Sequence, residues 1–213
     1  LTILEKIWNT QKQNFDLLIY VPHHSIDKDF IKKVRETSKI SLDSVSDDLL
    51  YKYMYHEADT WVVEVLESMK KYLEKSEFSI WILKVEIPRG FCDLNRPLEL
   101  AIPEVFRDKS WDEIYLRAEK EIENVIQKSD FVFHFHSMNG FNPVEKSIFN
   151  ENANSDFFKN HIEKVYSGSK RECTILTENI DWEYLTEKKF DKIFKEKFAE
   201  NNLVLEEKIC RLH

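Results

Sequence analysis

His23 and His136 are the residues of this chain best suited to hold a metal ion, and each stands at the end of an apolar run. His23 and His24 follow DLLIYV (Asp16 to Val21) and Pro22, while His136 closes FVFHFH (Phe131 to His136). With Asp59 or Glu57, the two histidines make a His/carboxylate/His set. Three protein ligands and a fourth position left to water is the usual catalytic zinc arrangement. Such an ion polarises a carbonyl and acidifies water. The bland reading stays open at this point. A histidine beside proline is often a surface or capping residue, and His134 and His136, two apart, share one strand face as core histidines also do. Arg89 and Arg96 bracket RGFCDLNRP with Asn95 between them. Their planar forks suit a carboxylate or a developing oxyanion. They suit equally a structural turn in which Asp93 pairs with one of them, since Gly90 and Pro97 both mark turns. Ser137, beside His136, lacks the GxSxG surroundings of a nucleophilic serine.

These groups share a position: each cluster comes just after an apolar segment of strand type. Asp16 to Val21 is a short apolar run stopped by Pro22, and Ser79 to Ile87 (SIWILKVEI) is a second, stopped by Pro88. Phe131 to His136 is a third, Cys173 to Thr177 (CTILT) a fourth, and Leu203 to Leu205 opens a fifth. Between them, Glu57 to Lys75 carries Trp61, Val62, Val65, Leu66, Met69, Tyr72 and Leu73 at helical spacing. Ser110 to Glu113 reads as a capping box that opens a helix reaching about Lys128, and Lys188 to Ala199 has a helical pattern. Alternating strands and helices predict an α/β fold: a three-layer sandwich with a mainly parallel or mixed central sheet flanked by helices. In such sheets ligands bind beyond the carboxyl ends of the strands. His23, the Arg89–Arg96 segment, His136, and Glu178 with Asn179 after the fourth strand would meet there.

Composition narrows the function further. The chain has 213 residues, 42 % hydrophobic and 13 % aromatic, enough for one domain with a real core. Its net charge of −8 lacks the basic surplus that a nucleic-acid binder uses against phosphates. There is no apolar run of about 18 residues, so no spanning helix is expected, and no secretory leader is evident at the start. The scattered cysteines Cys92, Cys173 and Cys210 read as reduced thiols, which makes the cytoplasm the expected compartment. Three glycines are too few for a Walker loop or GxGxxG fingerprint, which argues against nucleotide cofactors.

VPHHS (Val21 to Ser25), EADTW (Glu57 to Trp61), RGFCDLNRP (Arg89 to Pro97) and HFHSM (His134 to Met138) together resemble the N-formylglutamate amidohydrolases. These are relatives of the zinc carboxypeptidase and aspartoacylase folds. The resemblance covers roughly residues 16 to 140. It implies Zn2+ held by His23, Asp59 and His136, with Glu57 as the reserve acid. Asn95 and Arg96 would hold the substrate's α-carboxylate, and Arg89 would face the oxyanion. The chain departs from the family pattern at His134, where an Asp is usual, and at Glu119, where a His is usual. Thr177 to Asn179 stands where the family has a Gly-Asp-Arg turn. The family's last strand, which carries a catalytic glutamate, would begin about where the sequence ends. Glu178 is therefore the expected general base, with Glu206 in reserve.

The resemblance thus implies one domain over residues 1–213 that cleaves an N-acyl (N-formyl) amino acid such as N-formylglutamate. Neither nucleic acid nor membrane is an expected partner, and oligomeric state is not legible. Two alternatives stand beside this. One is carboxypeptidase or deacylase chemistry; the other is a non-catalytic relative binding a carboxylated ligand or a protein.

Overall fold

The computed structural model describes residues 2–6, 14–39, 41–136, 156, 158–160, 192–193, 196–197 and 199–200. Its elements run β1 (Thr2–Lys6), β2 (Leu17–Val21), α1 (Asp29–Thr37), α2 (Asp47–Glu57), α3 (Trp61–Leu73), β3 (Ile80–Val85), α4 (Leu98–Ala101), α5 (Lys109–Ile126) and β4 (Val132–His134). Backbone contacts divide the chain into two compact units, Leu1–Ser167 and Gly168–His213. The expected strands at Cys173–Thr177 and Leu203–Leu205 lie outside the described residues. Residues 192–193, 196–197 and 199–200 are helical, within or next to the expected Lys188–Ala199 segment.

The sheet has the order β1-β3-β2-β4. β2 runs parallel to both β3 and β4, whereas β1 joins β3 antiparallel, so the fold is α/β on a mixed sheet. Parallel neighbours need covered crossovers, and β2 sits between two of them. This explains why LLIYV is almost continuously apolar: Leu18, Ile19, Tyr20 and Val21 are all buried. Alternation sorts them to two cores. Leu18 and Tyr20 pack with Leu83 and Val85, together with residues of α1, α2 and α5 such as Val34, Tyr53 and Trp111. Ile19 and Val21 pack with Ile80, Ile82 and the α3 residues Val62 and Leu66.

The structure departs from the sequence reading in four respects. The polar stretch after His24 contains two helices, α1 and α2, which amphipathic spacing over short segments did not reveal. The helix expected from Glu57 onward begins at Trp61, because Glu57 is the last residue of α2 and the chain breaks at Ala58. The cap of α5 is Asp108 rather than Ser110: its carboxylate accepts from the Ser110 and Trp111 amides. A carboxylate with β-region backbone satisfies the orphan N–H groups and the helix dipole together. Trp61, Val65 and Tyr72, expected in the apolar face of α3, are exposed. No helix among the described residues is long and apolar enough to cross a membrane.

The turn after β3 is pressed tightly onto α2. The Tyr53 hydroxyl donates to Gly90 O at 2.9 Å, and a Cβ on Gly90 would lie 2.8 Å from Tyr53 Cε1 and 3.2 Å from Glu57 Cγ. Tyr53 is buried, so its ring has nowhere to retreat. Gly90→Ala is expected to lower stability by about 1–3 kcal/mol through this overpacking. Urea titration should show a lower midpoint at unchanged slope. An unchanged midpoint would mean that the turn can lift off α2 freely.

Candidate functional site

Two loops and a strand end build the site. Beyond β2, Pro22 ends the ladder and turns the chain so that His23 is buried. The Asp59 amide donates to His23 O at 2.7 Å, which ties the break between α2 and α3 to the loop after β2. This bond sets Asp59 beside His23. Glu57, two residues earlier, instead lies against Gly90 at the end of α2. The third contributor arrives through β4: Phe135 N donates to Tyr20 O, continuing the ladder one step, and His136 follows.

Potential ligand atoms of His23, Asp59 and His136 all lie within 4.8 Å of one another. His136 Nδ1 is 3.0 Å and His23 Nδ1 is 3.7 Å from the same oxygen, Asp59 Oδ2. Ligands on one tetrahedral zinc, at about 2.0–2.1 Å from the ion, would be about 3.3 Å apart. The two distances bracket that value. His23 Nδ1 is buried and makes no hydrogen bond among the described residues. A buried nitrogen left unsatisfied costs free energy, and a cation would satisfy it.

The other ring nitrogen explains why Nδ1 is available. His23 Nε2 donates to Asp93 Oδ1 at 2.9 Å. An ionised carboxylate only accepts, so Nε2 carries the proton and the neutral ring keeps its lone pair on Nδ1. A histidine held this way by a carboxylate is the usual support of a metal ligand. Asp93 does more: its Oδ2 accepts from Arg89 Nε at 3.2 Å and Arg96 Nε at 3.1 Å, and its Oδ1 accepts from the Asn95 amide at 3.0 Å. Burial alone would raise the Asp93 carboxyl, but the His23 hydrogen bond, the Arg89 charge and the Asn95 amide together hold it well below the usual range. Asp59 behaves alike: burial pushes it up, and the hydrogen bond from His136 together with the nearness of His23 outweighs that. Arg89 is held more firmly protonated, because the charges of Asp93, Glu57 and Asp59 overcome its desolvation.

The structure therefore brings His23, Asp59, His136, Arg89, Asn95 and Arg96 into one connected cluster. Asn95 Nδ2 reaches His136 Nε2 at 3.2 Å, a contact with no counterpart in the sequence reading. The arginines do pair with Asp93, as the turn reading has it, but Asp93 binds both and His23 besides. That second role was missed; its signal was the i, i+2 spacing of Asp93 and Asn95 on one loop. His24 turns to Glu86, 3.2 Å away, and is not in the cluster. His134 sits edge-on to Tyr20, their ring centroids 5.1 Å apart. Its pKa is pushed down by burial and by His136. Glu119 is near the Tyr115 hydroxyl, 3.3 Å away, and that hydroxyl also donates to Arg96 O at 2.8 Å. Ser137, Asn139, Thr177, Glu178, Asn179 and Glu206 lie outside the described residues. Comparison of the chain with family models, with curated proteins and with solved structures gives no match.

Because the Asp93 and Asp59 pKa values are depressed by folding, their stabilisation is fully present above the unfolded carboxylate value of about 3.9 and is lost progressively as pH falls from there through the lower folded values. Asp93→Asn should lower stability at pH 7 by about 2–3 kcal/mol, since His23 and two partly solvated guanidiniums lose their charged partner. Its urea midpoint should also fall less steeply than the wild type's below about pH 4. Equal midpoints and equal acid slopes would show that Asp93 does not hold the loop together.

Proposed function

We propose that this chain is a zinc-dependent amidohydrolase of the N-formylglutamate amidohydrolase type that cleaves an N-acyl amino acid. One observation carries the reading. Two histidine Nδ1 atoms converge on one Asp59 oxygen, next to a loop that presents Arg89, Asn95 and Arg96. The motif resemblance of residues 16 to 140 supports the same substrate class. The three-layer sandwich of that family, one domain throughout the chain and a cytoplasmic location belong to this proposal. Helices packed on both faces of β2 support the first of these.

His23, Asp59 and His136 would hold the ion, which when bound supplies Lewis-acid polarisation of a carbonyl and acidification of water. The chain's own residues do the rest. Asp93 fixes the His23 ring, so that little reorganisation is needed at the ligand. It also anchors both arginines through Nε, which leaves the four Nη N–H donors of each fork outside these bonds. Arg96, the more exposed of the two, suits the free α-carboxylate of an N-acyl amino acid. Arg89 lies deeper and stays cationic, which suits charge developing on an amide oxygen. The general base, expected at Glu178 from its place after the fourth apolar run, lies outside the described residues.

Metal analysis of the purified protein should find about one zinc per chain, and assay of amine release should find hydrolysis of N-formyl or other N-acyl amino acids. His136→Ala should stay folded and lose both. Full zinc occupancy in that variant would sink the site assignment. In a second test, Arg96→Lys should lower kcat/KM for free-carboxylate substrates at least about tenfold at unchanged zinc content, because lysine lacks the planar fork. Substrates amidated at the α-carboxylate should be poor already and lose little more; equal activity on both kinds in the wild type would retire the carboxylate pocket.

A further inference from the structure

The contact between Asn95 and His136 has a consequence for how the cluster is held. His23 is fixed through Nε2 by Asp93, and His136 is met at the same ring position, Nε2, by Asn95 at 3.2 Å. Both partners come from one loop, two residues apart, and the Asn95 amide is itself bonded to Asp93 Oδ1 at 3.0 Å. Both histidines thus present Nδ1 to Asp59 Oδ2. We propose that Asn95 is a positioning residue for His136, the counterpart of Asp93 on His23. The inference rests on the metal-site reading above.

The chemistry of the amide supports it. In the arrangement observed, Asn95 Nδ2 donates to His136 Nε2, and His136 Nδ1–H donates to Asp59 Oδ2 at 3.0 Å. A cation on Nδ1 needs that lone pair, so the proton of the neutral ring moves to Nε2. Nε2–H then requires an acceptor where a donor stood. An amide provides one by turning over, since its oxygen and nitrogen are nearly the same size and occupy equivalent places. A carboxylate would serve only the second tautomer, and a lysine only the first. Asn95 serves both, and this is the physical reason for an amide here and a carboxylate at Asp93, whose histidine keeps one tautomer.

Zinc affinity, measured by competition with a chelator of known affinity, tests this without any substrate. Asn95 is exposed, so its truncation opens no cavity, and the thermal melt of each chelator-treated variant verifies the fold. Asn95→Ala should bind zinc about 10–100-fold more weakly than wild type, the usual cost of losing such a partner. Asn95→Asp should restore most of that affinity, because it accepts from Nε2–H. In the zinc-loaded wild type, long-range 1H–15N spectra should show the His136 proton on Nε2. Unchanged zinc affinity in Asn95→Ala, or equal losses in both variants, overturns the positioning role. A wild-type chain that takes up no zinc overturns the metal reading itself, and this inference with it.

Discussion

A carboxylate removed from water must be met by cations or N–H groups, and Asp93 is the place in this chain where that requirement organises everything around it. Its two oxygens collect the His23 ring, two guanidiniums and a backbone amide. These partners come from two loops: His23 follows β2, and Arg89, Asn95 and Arg96 follow β3. Because β2 and β3 are parallel neighbours, both loops leave the sheet at the same end, and a single short side chain spans them. The loop after β3 is thereby fastened to the loop after β2, and its arginines are held at known points. Its other side is pinned by Tyr53 on Gly90 and by Asp93 N on Ala101 O at 2.8 Å.

A second requirement concerns the histidines. A neutral imidazole has one donor and one acceptor, so whatever binds one nitrogen decides what the other can do. Asp93 accepts a hydrogen bond from the Nε2–H of His23, and this leaves a buried Nδ1 beside Asp59 and His136. The fold accepts an unsatisfied nitrogen there because it is enclosed by the loop after β2 and the break before α3, which are joined through Asp59 N and His23 O. Costs of this kind concentrate where groups are arranged for binding or catalysis. The cluster is thus held from the backbone outward, by the Asp59 N to His23 O bond and the contacts of Asp93.

Much of this arrangement was legible in order and type. The runs LLIYV and IWILKV are apolar on both faces, which marks buried parallel strands, and prolines mark where β2 and β3 stop. Polar residues just beyond such stops must gather at one sheet edge. The helix α2 was not legible because its apolar residues give weak periodicity, and α1, though amphipathic, spans only nine residues with no side-chain cap to mark its start. The antiparallel β1 was missed too, since an edge strand needs a partner more than a pattern. The face of α3 was misjudged because seven apolar residues suggest more burial than two core contacts, Val62 and Leu66, require.

The sequence by itself determined which residue types reach the site and in what order, because strand ends and turn residues are local properties of the chain. Tertiary structure alone decided which atoms meet. Asp59 rather than Glu57 approaches the histidines because α2 ends at Glu57 and a backbone bond from Asp59 to His23 sets the break, a contact across 36 positions of sequence. Asp93 serves His23 as well as the arginines, and Asn95 meets His136, only because parallel register aligns three strand ends. Hydrogen bonds between residues 41 and 70 positions apart depend on that register, and no local period encodes it.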